Sequence, residues 1–487
     1  MSEATVDQRR AMTTALERLD AATDSARAVR REPMRAGRAS TWPADSVRPR
    51  IGTTLSIGIG ALISLAPSLL PRTAGAQAIL TGLLVAVSLG IAGILRYVLR
   101  RRSFEVNHRF ATYRRPLLAV TALLIIGAAA QAGHWQNGLR AAMGTPPIGP
   151  GYWLRCAFGA ALILACGTGV ARSARWICRK IGRTRGVALT VTAAAAGYLV
   201  LVPAVTGWRQ NAYAAANAQL DPGLVQPVSD ARSGSPESAV SWSSLGAQGR
   251  KFIAGTPVGQ VRVYVGLDSA PDLNSRVALA IREMERSGGF ERSNIVVAVP
   301  TGSGWIDGDA AIGFGERFGD DVALVGLQYS YAPSWVTFVF GRDDAVAAAR
   351  ALFTAVEARI ATLDHRPRLF VYGQSLGALG GSSIFTDDAD QDRRTCAVLW
   401  AGPPAGRVHR AGATVLANSS DPVVHWSPAL LWRAPDPTGV RVDAPVPRWL
   451  PVVSFVQTTA DLLAALNAPP GHGHRYGTDQ GSALGGC

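Results

Sequence analysis

The run Phe370-Val371-Tyr372-Gly373-Gln374-Ser375-Leu376-Gly377-Ala378-Leu379-Gly380 passes from a buried-strand pattern into G-x-S-x-G and on into small residues able to start a helix. A strand-turn-helix corner of this kind is too tight for anything but glycine on either side of the serine, and it pushes the hydroxyl into the open. The chemistry on offer is nucleophilic attack on a carbonyl. A serine hydroxyl is a poor nucleophile at neutral pH, so a base must take its proton and an acid must orient that base. Five-residue patterns recur by chance and G-x-S-x-G equally describes a structural turn, so the partners decide its meaning.

In a strand-elbow hydrolase the chain order is serine, acid, histidine. Ser419-Ser420-Asp421-Pro422 follows a short strand pattern, which is where an acid loop belongs, although an aspartate before proline also starts turns and caps helices. Asp388, Asp390 and Asp392 lie in a polar loop and read as solvated, and Asp436, Asp443 and Asp461 are less well placed relative to a strand. Pro470-Gly471-His472-Gly473-His474-Arg475-Tyr476-Gly477 puts two histidines in a flexible loop; one is expected to be the base, and spacing does not choose between them. His409 precedes the acid, and His425 follows it too closely to return from a separate loop. His-x-His is also a metal pattern, but no carboxylate or cysteine completes a ligand set nearby, so neither metal nor cofactor is expected. For an oxyanion hole the candidates are the Leu376 N–H and a second N–H, from Thr301 or Gly302, in Thr301-Gly302-Ser303-Gly304. Those glycines would also suit a plain tight turn or a phosphate nest, yet no lysine follows them as in a P-loop.

The elements that must hold these residues begin near position 250, where short β runs alternate with helical ones as in an α/β domain. Strands are expected at 261–265, 294–299, 322–329, 368–372, 398–401 and 414–417, with helices over 272–287 and 343–363. Residues 209–249, rich in Ala, Ser, Asn, Gly and Pro, read as a linker.

The first half of the chain is different in kind. Of the 487 residues 48% are hydrophobic, and they concentrate before position 210 in five segments, 51–70, 77–95, 116–133, 153–171 and 187–208. Each has about the 17–25 residues that cross a hydrocarbon core, and soluble helices of that length normally carry a polar face. Arg96, Arg100, Arg101, Arg102, Arg109, Arg114 and Arg115 lie between the second and third segments, and Arg172, Arg175, Arg179, Lys180, Arg183 and Arg185 between the fourth and fifth. The positive-inside rule then makes those loops and the amino terminus cytoplasmic, and five crossings leave the rest outside. Residues 1–50 read as a cytoplasmic, disordered tail with a short amphipathic helix allowed over 7–29, and no cleavable signal precedes the first apolar run. The formal charge of +15 comes from arginines placed beside apolar runs, which suits membrane topology rather than a nucleic-acid groove. Five cysteines form no C-x-x-C pair; Cys396 and Cys487 are able to pair in an oxidising compartment, though nothing in the sequence requires it.

Taken together, the chain resembles the actinobacterial α/β-hydrolase family of multi-pass membrane proteins. Its marks are Ala66-Pro67-Ser68-Leu69-Leu70-Pro71-Arg72 at the first membrane hairpin, Val261-Arg262-Val263-Tyr264-Val265-Gly266-Leu267, Pro300-Thr301-Gly302-Ser303-Gly304-Trp305 and Gln328-Tyr329-Ser330-Tyr331. To these are added the elbow, Trp400-Ala401-Gly402-Pro403-Pro404, Ser420-Asp421-Pro422 and Gly471-His472-Gly473-His474. Two departures stand out: Gln374 where the family more often has Glu, and a shorter stretch between Pro404 and Thr414. The resemblance implies a membrane-anchored serine hydrolase without naming a substrate.

The expectation is therefore an all-α membrane domain at 51–208 and an extracytoplasmic α/β-hydrolase domain at 250–487 that acts on lipid or envelope-linked esters at the plasma membrane. An acyltransferase using the same residues, or a non-catalytic envelope scaffold, would share this pattern. A transporter would need ionisable groups within the apolar segments, which carry almost none. The expected partners are the bilayer and an acyl-ester substrate, with no nucleic acid, and the oligomeric state is left open.

Overall fold

The computed structural model describes residues 50–102 and 109–487, so the expected tail and its 7–29 helix lie outside the described residues. The first apolar segment forms a helix only over Ile51–Ser64 (α1), because Pro67 and Pro71 stop it short of Leu70. Its 14 residues span about 21 Å, less than the roughly 30 Å of a hydrocarbon core. The others run longer than their apolar centres: Ala74–Arg101 (α2), Arg114–Ala142 (α3), Tyr152–Ile181 (α4) and Arg183–Ala218 (α5). Among the described residues four helices are thus long and apolar enough to cross a membrane, and the expected five become four plus one short helix. Their outward faces expose Ile91, Leu123, Phe158 and Leu199, apolar surface that a water-soluble bundle would bury.

The bundle has two unlike ends. Arg100 and Arg101 close α2, and Arg179 and Lys180 close α4. At the opposite end, where α2 and α4 begin and α3 and α5 finish, the helices meet the carboxy-terminal domain. Leu69, Leu70, Leu139 and Met143 there pack with Ala444 and Ala468 in one buried cluster.

That domain is built on six parallel strands, Val261–Val265 (β1), Asn294–Val299 (β2), Val322–Leu327 (β3), Arg368–Gln374 (β4), Ala397–Ala401 (β5) and Ala413–Leu416 (β6), in the order β1-β3-β2-β4-β5-β6. β1 to β5 are buried on both faces, which is why their interiors, Arg262 apart, read as apolar runs. Helices Leu273–Arg286 (α6), Gly308–Phe318 (α7), Arg342–Ala361 (α8) and Leu376–Ser382 (α9) connect them. The crossovers from β1 to β2 and from β3 to β4 run in one direction along the sheet and that from β2 to β3 runs back. The right-handed rule therefore puts α6 and α8 on one face and α7 on the other. α6 and α8 do pack together, while Phe314 and Phe318 of α7 stack on Tyr372 and Phe370 of β4. Helix Val453–Asp461 (α10) lies at the membrane junction, where the Gln457 amide donates to Ile63 O.

The expected linker is structured. α5 continues to Ala218, and residues 231–233 pair with the outer edge of β1 through Arg262 N→Ala231 O at 2.9 Å and Ser233 N→Arg262 O at 3.1 Å. The Ser238 hydroxyl and Ala239 N–H bind the buried carboxylate of Glu283 on α6 at 2.7 and 2.8 Å. Small polar residues do this work, and they leave no hydrophobic period to read.

Candidate active site

Parallel pairing brings the carboxyl ends of β2, β4, β5 and β6 to one edge of the sheet, and every expected site residue follows one of those ends or lies in the histidine loop against them. Ser375 follows β4 with φ 55° and ψ −122°, a backbone conformation a non-glycine residue adopts only when its surroundings impose it. Two glycines impose it. A Cβ on Gly373 would stand 2.3 Å from Gly377 O, and one on Gly377 would stand 2.2 Å from Val299 O, so the corner closes only if both positions lack side chains. The Ser375 N–H is anchored on Ala401 O of β5 at 2.8 Å, and the side chain remains partly exposed.

The histidine loop lies against the same corner. The His474 ring packs on Gly402, the residue after β5, where an added Cβ would be 2.5 Å from Cε1. Gln374, immediately before the serine, donates its Nε2 to His474 O at 3.0 Å, and His474 N–H donates to Ala465 O at 3.1 Å. A carboxylate at position 374 would face that carbonyl without a proton to give, so the amide suits this loop. His474 Nδ1 meets Asp421 Oδ2 at 2.7 Å; its Nε2 is buried with no hydrogen-bond partner among the described residues.

Asp421 is fully buried and both caps a helix and meets the histidine loop. Oδ1 caps the short helix Pro422–His425 through Val423 N at 2.8 Å, while Oδ2 takes His474 and the hydroxyl of Tyr476 at 2.5 Å. Burial alone would raise its pKa, but the charge and hydrogen bond of His474, the Tyr476 hydroxyl and the Val423 N–H outweigh burial and hold it below the ordinary carboxylate value. The carboxylate is therefore ionised and able to fix the imidazole tautomer. Tyr476, two residues beyond the histidine, escaped sequence reasoning because a buried tyrosine in a loop carries no pattern.

His472 points elsewhere. Its Nδ1 meets Asp443 Oδ2 at 3.0 Å, and Asp443 also holds the hydroxyls of Ser419 and Ser420. Ser420 Oγ in turn accepts Gly473 N–H at 2.7 Å, which ties the histidine loop to the acid loop. The remaining candidates are distant in role. His409 pairs with Asp388 near the surface, Asp390 and Asp436 serve local turns, and His425 sits on Ser419 O with its pKa lowered by burial. Asp392 lies against Gly412. Asp461 belongs to the membrane junction, where Arg72 Nη2 reaches its Oδ1 at 2.8 Å.

The expected second oxyanion donors are engaged. Thr301 N–H is locked into a turn by Trp305 O at 2.9 Å, and Gly302 N–H donates to the Ser334 hydroxyl at 3.2 Å. The Thr301 bond belongs to the backbone of the turn; the Gly302 bond ends on a rotatable side chain. Leu376 opens α9, where the first-turn N–H groups have no intrahelical acceptor. Cys396 and Cys487 are joined as a disulfide with Cα atoms 4.7 Å apart, tying the segment before β5 to residue 487. A concavity of about 370 Å³ between Pro257 and Asp320 lies at the amino ends of the strands, away from Ser375.

Residues 65–257 match a family model described as the alpha/beta-hydrolase family N-terminus, and residues 261–414 and 408–484 match the model of the alpha/beta-hydrolase family. No curated protein and no solved structure matches the chain. With the parallel sheet and helical amino-terminal region, these matches place the chain in the alpha/beta-hydrolase family, with both its hydrolase domain and its amino-terminal domain.

Proposed function

We propose that the protein is a membrane-anchored serine hydrolase that cleaves lipid or envelope-linked esters through an acyl-enzyme. The observation that carries this reading is Ser375 held at positive φ between two obligatory glycines, next to Gln374, whose amide holds the backbone of a buried histidine with its Nδ1 bound by an ionised aspartate. Ser375 Oγ attacks the ester carbonyl as His474 Nε2 takes its proton, and Asp421 holds the imidazole and stabilises the imidazolium. The Leu376 N–H stabilises the oxyanion, joined by Gly302 when substrate displaces the Ser334 hydroxyl. His474 then protonates the departing alcohol, and water repeats the sequence to free the acid and regenerate Ser375. His472, which faces Asp443, orders the loop.

The active site is assigned to the extracytoplasmic side of the plasma membrane. Support comes from the basic helix ends, which lie opposite the hydrolase domain and belong in the cytoplasm under the positive-inside rule, whether or not α1 crosses. The Cys396–Cys487 disulfide agrees, since such bonds persist in oxidising compartments.

The test is fluorophosphonate labelling of membranes containing the intact chain or Ser375→Ala. The wild type is expected to label and the variant to remain unlabelled; an unlabelled wild type, or equal labelling, would end the proposal. Product analysis with an added alcohol acceptor separates hydrolysis from acyl transfer.

A further inference from the structure

The hairpin 66–72 and the exposed leucines near the histidine loop have no role in the chemistry above, yet they adjoin it. Asp461, the last residue of α10, is 1% exposed and bound to the hairpin by Leu69 N–H at 2.8 Å and by Arg72 Nε and Nη2 at 3.1 and 2.8 Å. This contact sets the height of everything that follows it. Arg72 stands two residues before α2 begins at Ala74, a stretch that covers at most about 7 Å. The headgroup layer on each side of a bilayer is itself about 5–7 Å deep. The turn Leu462–Asn467 thus starts within about one headgroup depth of the start of the α2 span.

The turn has two faces. Ala465 and Ala468 are buried, Ala468 in the cluster with Leu69, Leu70, Leu139 and Met143, whereas Leu463 is 91% and Leu466 57% exposed. An exposed leucine alone is unremarkable on a soluble surface. Here the pair stands on a turn packed, through Ala464 and Ala468, against the hairpin and the end of α3, and the membrane helices expose apolar outward faces of their own. The same turn supports the catalytic loop. Ala465 O accepts His474 N–H, and a Cβ on Gly473 would lie 3.1 Å from Ala465 O and 3.3 Å from Leu70 Cδ2.

We propose that Leu463 and Leu466 enter the leaflet at the hydrolase end of the helices, making the Leu462–Asn467 turn a lipid-docking step directly beneath the histidine loop. On the serine-hydrolase reading, on which this part rests, the substrate class is an ester resident in the bilayer, which reaches Ser375 without its acyl chains passing through water. The occupant is the lipid leaflet, because the turn is hydrogen-bonded and packed to the point where the membrane span starts.

The experiment uses the full chain in lipid nanodiscs, with Cys156, Cys166 and Cys178 replaced by alanine and an environment-sensitive fluorophore on Leu463→Cys. A matched label on Val258→Cys, an exposed site at the amino ends of the strands, is the control. Doxyl-labelled lipids are expected to quench the label at 463 and spare that at 258. Absence of quenching at 463, or quenching that instead follows protein dilution and so reports a second copy, overturns the proposal. In parallel, Leu463→Ser with Leu466→Ser is expected to lower the ratio of bilayer-borne to water-soluble ester hydrolysis roughly tenfold, since interfacial binding scales with buried apolar area. An unchanged ratio contradicts the docking role. If the wild type hydrolyses neither ester, the hydrolase reading fails, while the quenching result still decides lipid docking.

Discussion

Replacing Arg72 by methionine is a direct probe of how the membrane hairpin and the hydrolase domain hold each other. Arg72 gives Nε and Nη2 to Asp461 Oδ1 and Nη2 also to Gln457 O, and the methionine keeps most of the stem while removing all three bonds. Asp461 is left fully buried with backbone N–H donors from the hairpin and no cation. Removing one partner of a buried pair costs about 3–5 kcal/mol. At about 2–4 °C per kcal/mol for a domain of this size, the melting temperature should fall by roughly 6–20 °C. The loss should also depend on pH. Burial already raises the Asp461 pKa above the ordinary carboxylate value, although Arg72 and the hairpin N–H groups pull it down. A carboxylate with a raised folded pKa favours folding while protonated and loses that contribution as pH rises through the folded value. Without Arg72 the folded value climbs further, so the deficit of Arg72→Met should be larger at pH 8 than at pH 5. Thermal unfolding of the full chain in detergent, followed by tryptophan fluorescence at both values, measures it. Adding Asp461→Asn should recover part of the loss by removing the stranded charge. A fall below about 2 °C, a deficit equal at both pH values, or a double variant no better than the single one would refute the argument.

Two further substitutions test the site. His474→Ala should lower ester turnover by about 10⁴ or more and His472→Ala by less than about tenfold, because only His474 bonds Asp421; burst titration separates lost turnover from lost protein. Gly377→Ala drives a Cβ to 2.2 Å from the Val299 carbonyl, a backbone atom of the central sheet, and should cost about 3 kcal/mol or more together with fluorophosphonate labelling, whereas Gly138→Ala, where the space is open, should change neither.

The parts of the fold legible in the sequence were those governed by local pattern. β1 to β4 lay where apolar runs placed them because both faces of a parallel sheet are covered, and the elbow was readable because only glycine fits beside Ser375. The choice between His472 and His474 was not local. Gly471 and Gly473, both at positive φ, turn alternate residues of the loop in different directions, and each imidazole is defined by the distant carboxylate it meets. The engagement of the Thr301 and Gly302 N–H groups is not local either, since their acceptors come from Trp305 and Ser334 through a turn and a neighbouring helix. The extent of α1 was open to local reading, as Pro67 and Pro71 already forbid a helix to Leu70.

The two family models meet between residues 257 and 261, as if an anchor had been joined to a separate catalyst. The hydrogen bonds across that boundary say otherwise. The side chain of Asn217, at the end of α5, accepts from Gln328 just beyond β3, and Arg262 N–H of β1 donates to Ala231 O. Arg72 supplies the cation of Asp461, and Leu70 lies under Gly473. An anchor that served only to tether could be exchanged for any other of suitable length. This one forms part of the floor of the histidine loop, so a hydrolase domain grafted onto an unrelated transmembrane helix would reach the membrane and still lack part of the support under that loop.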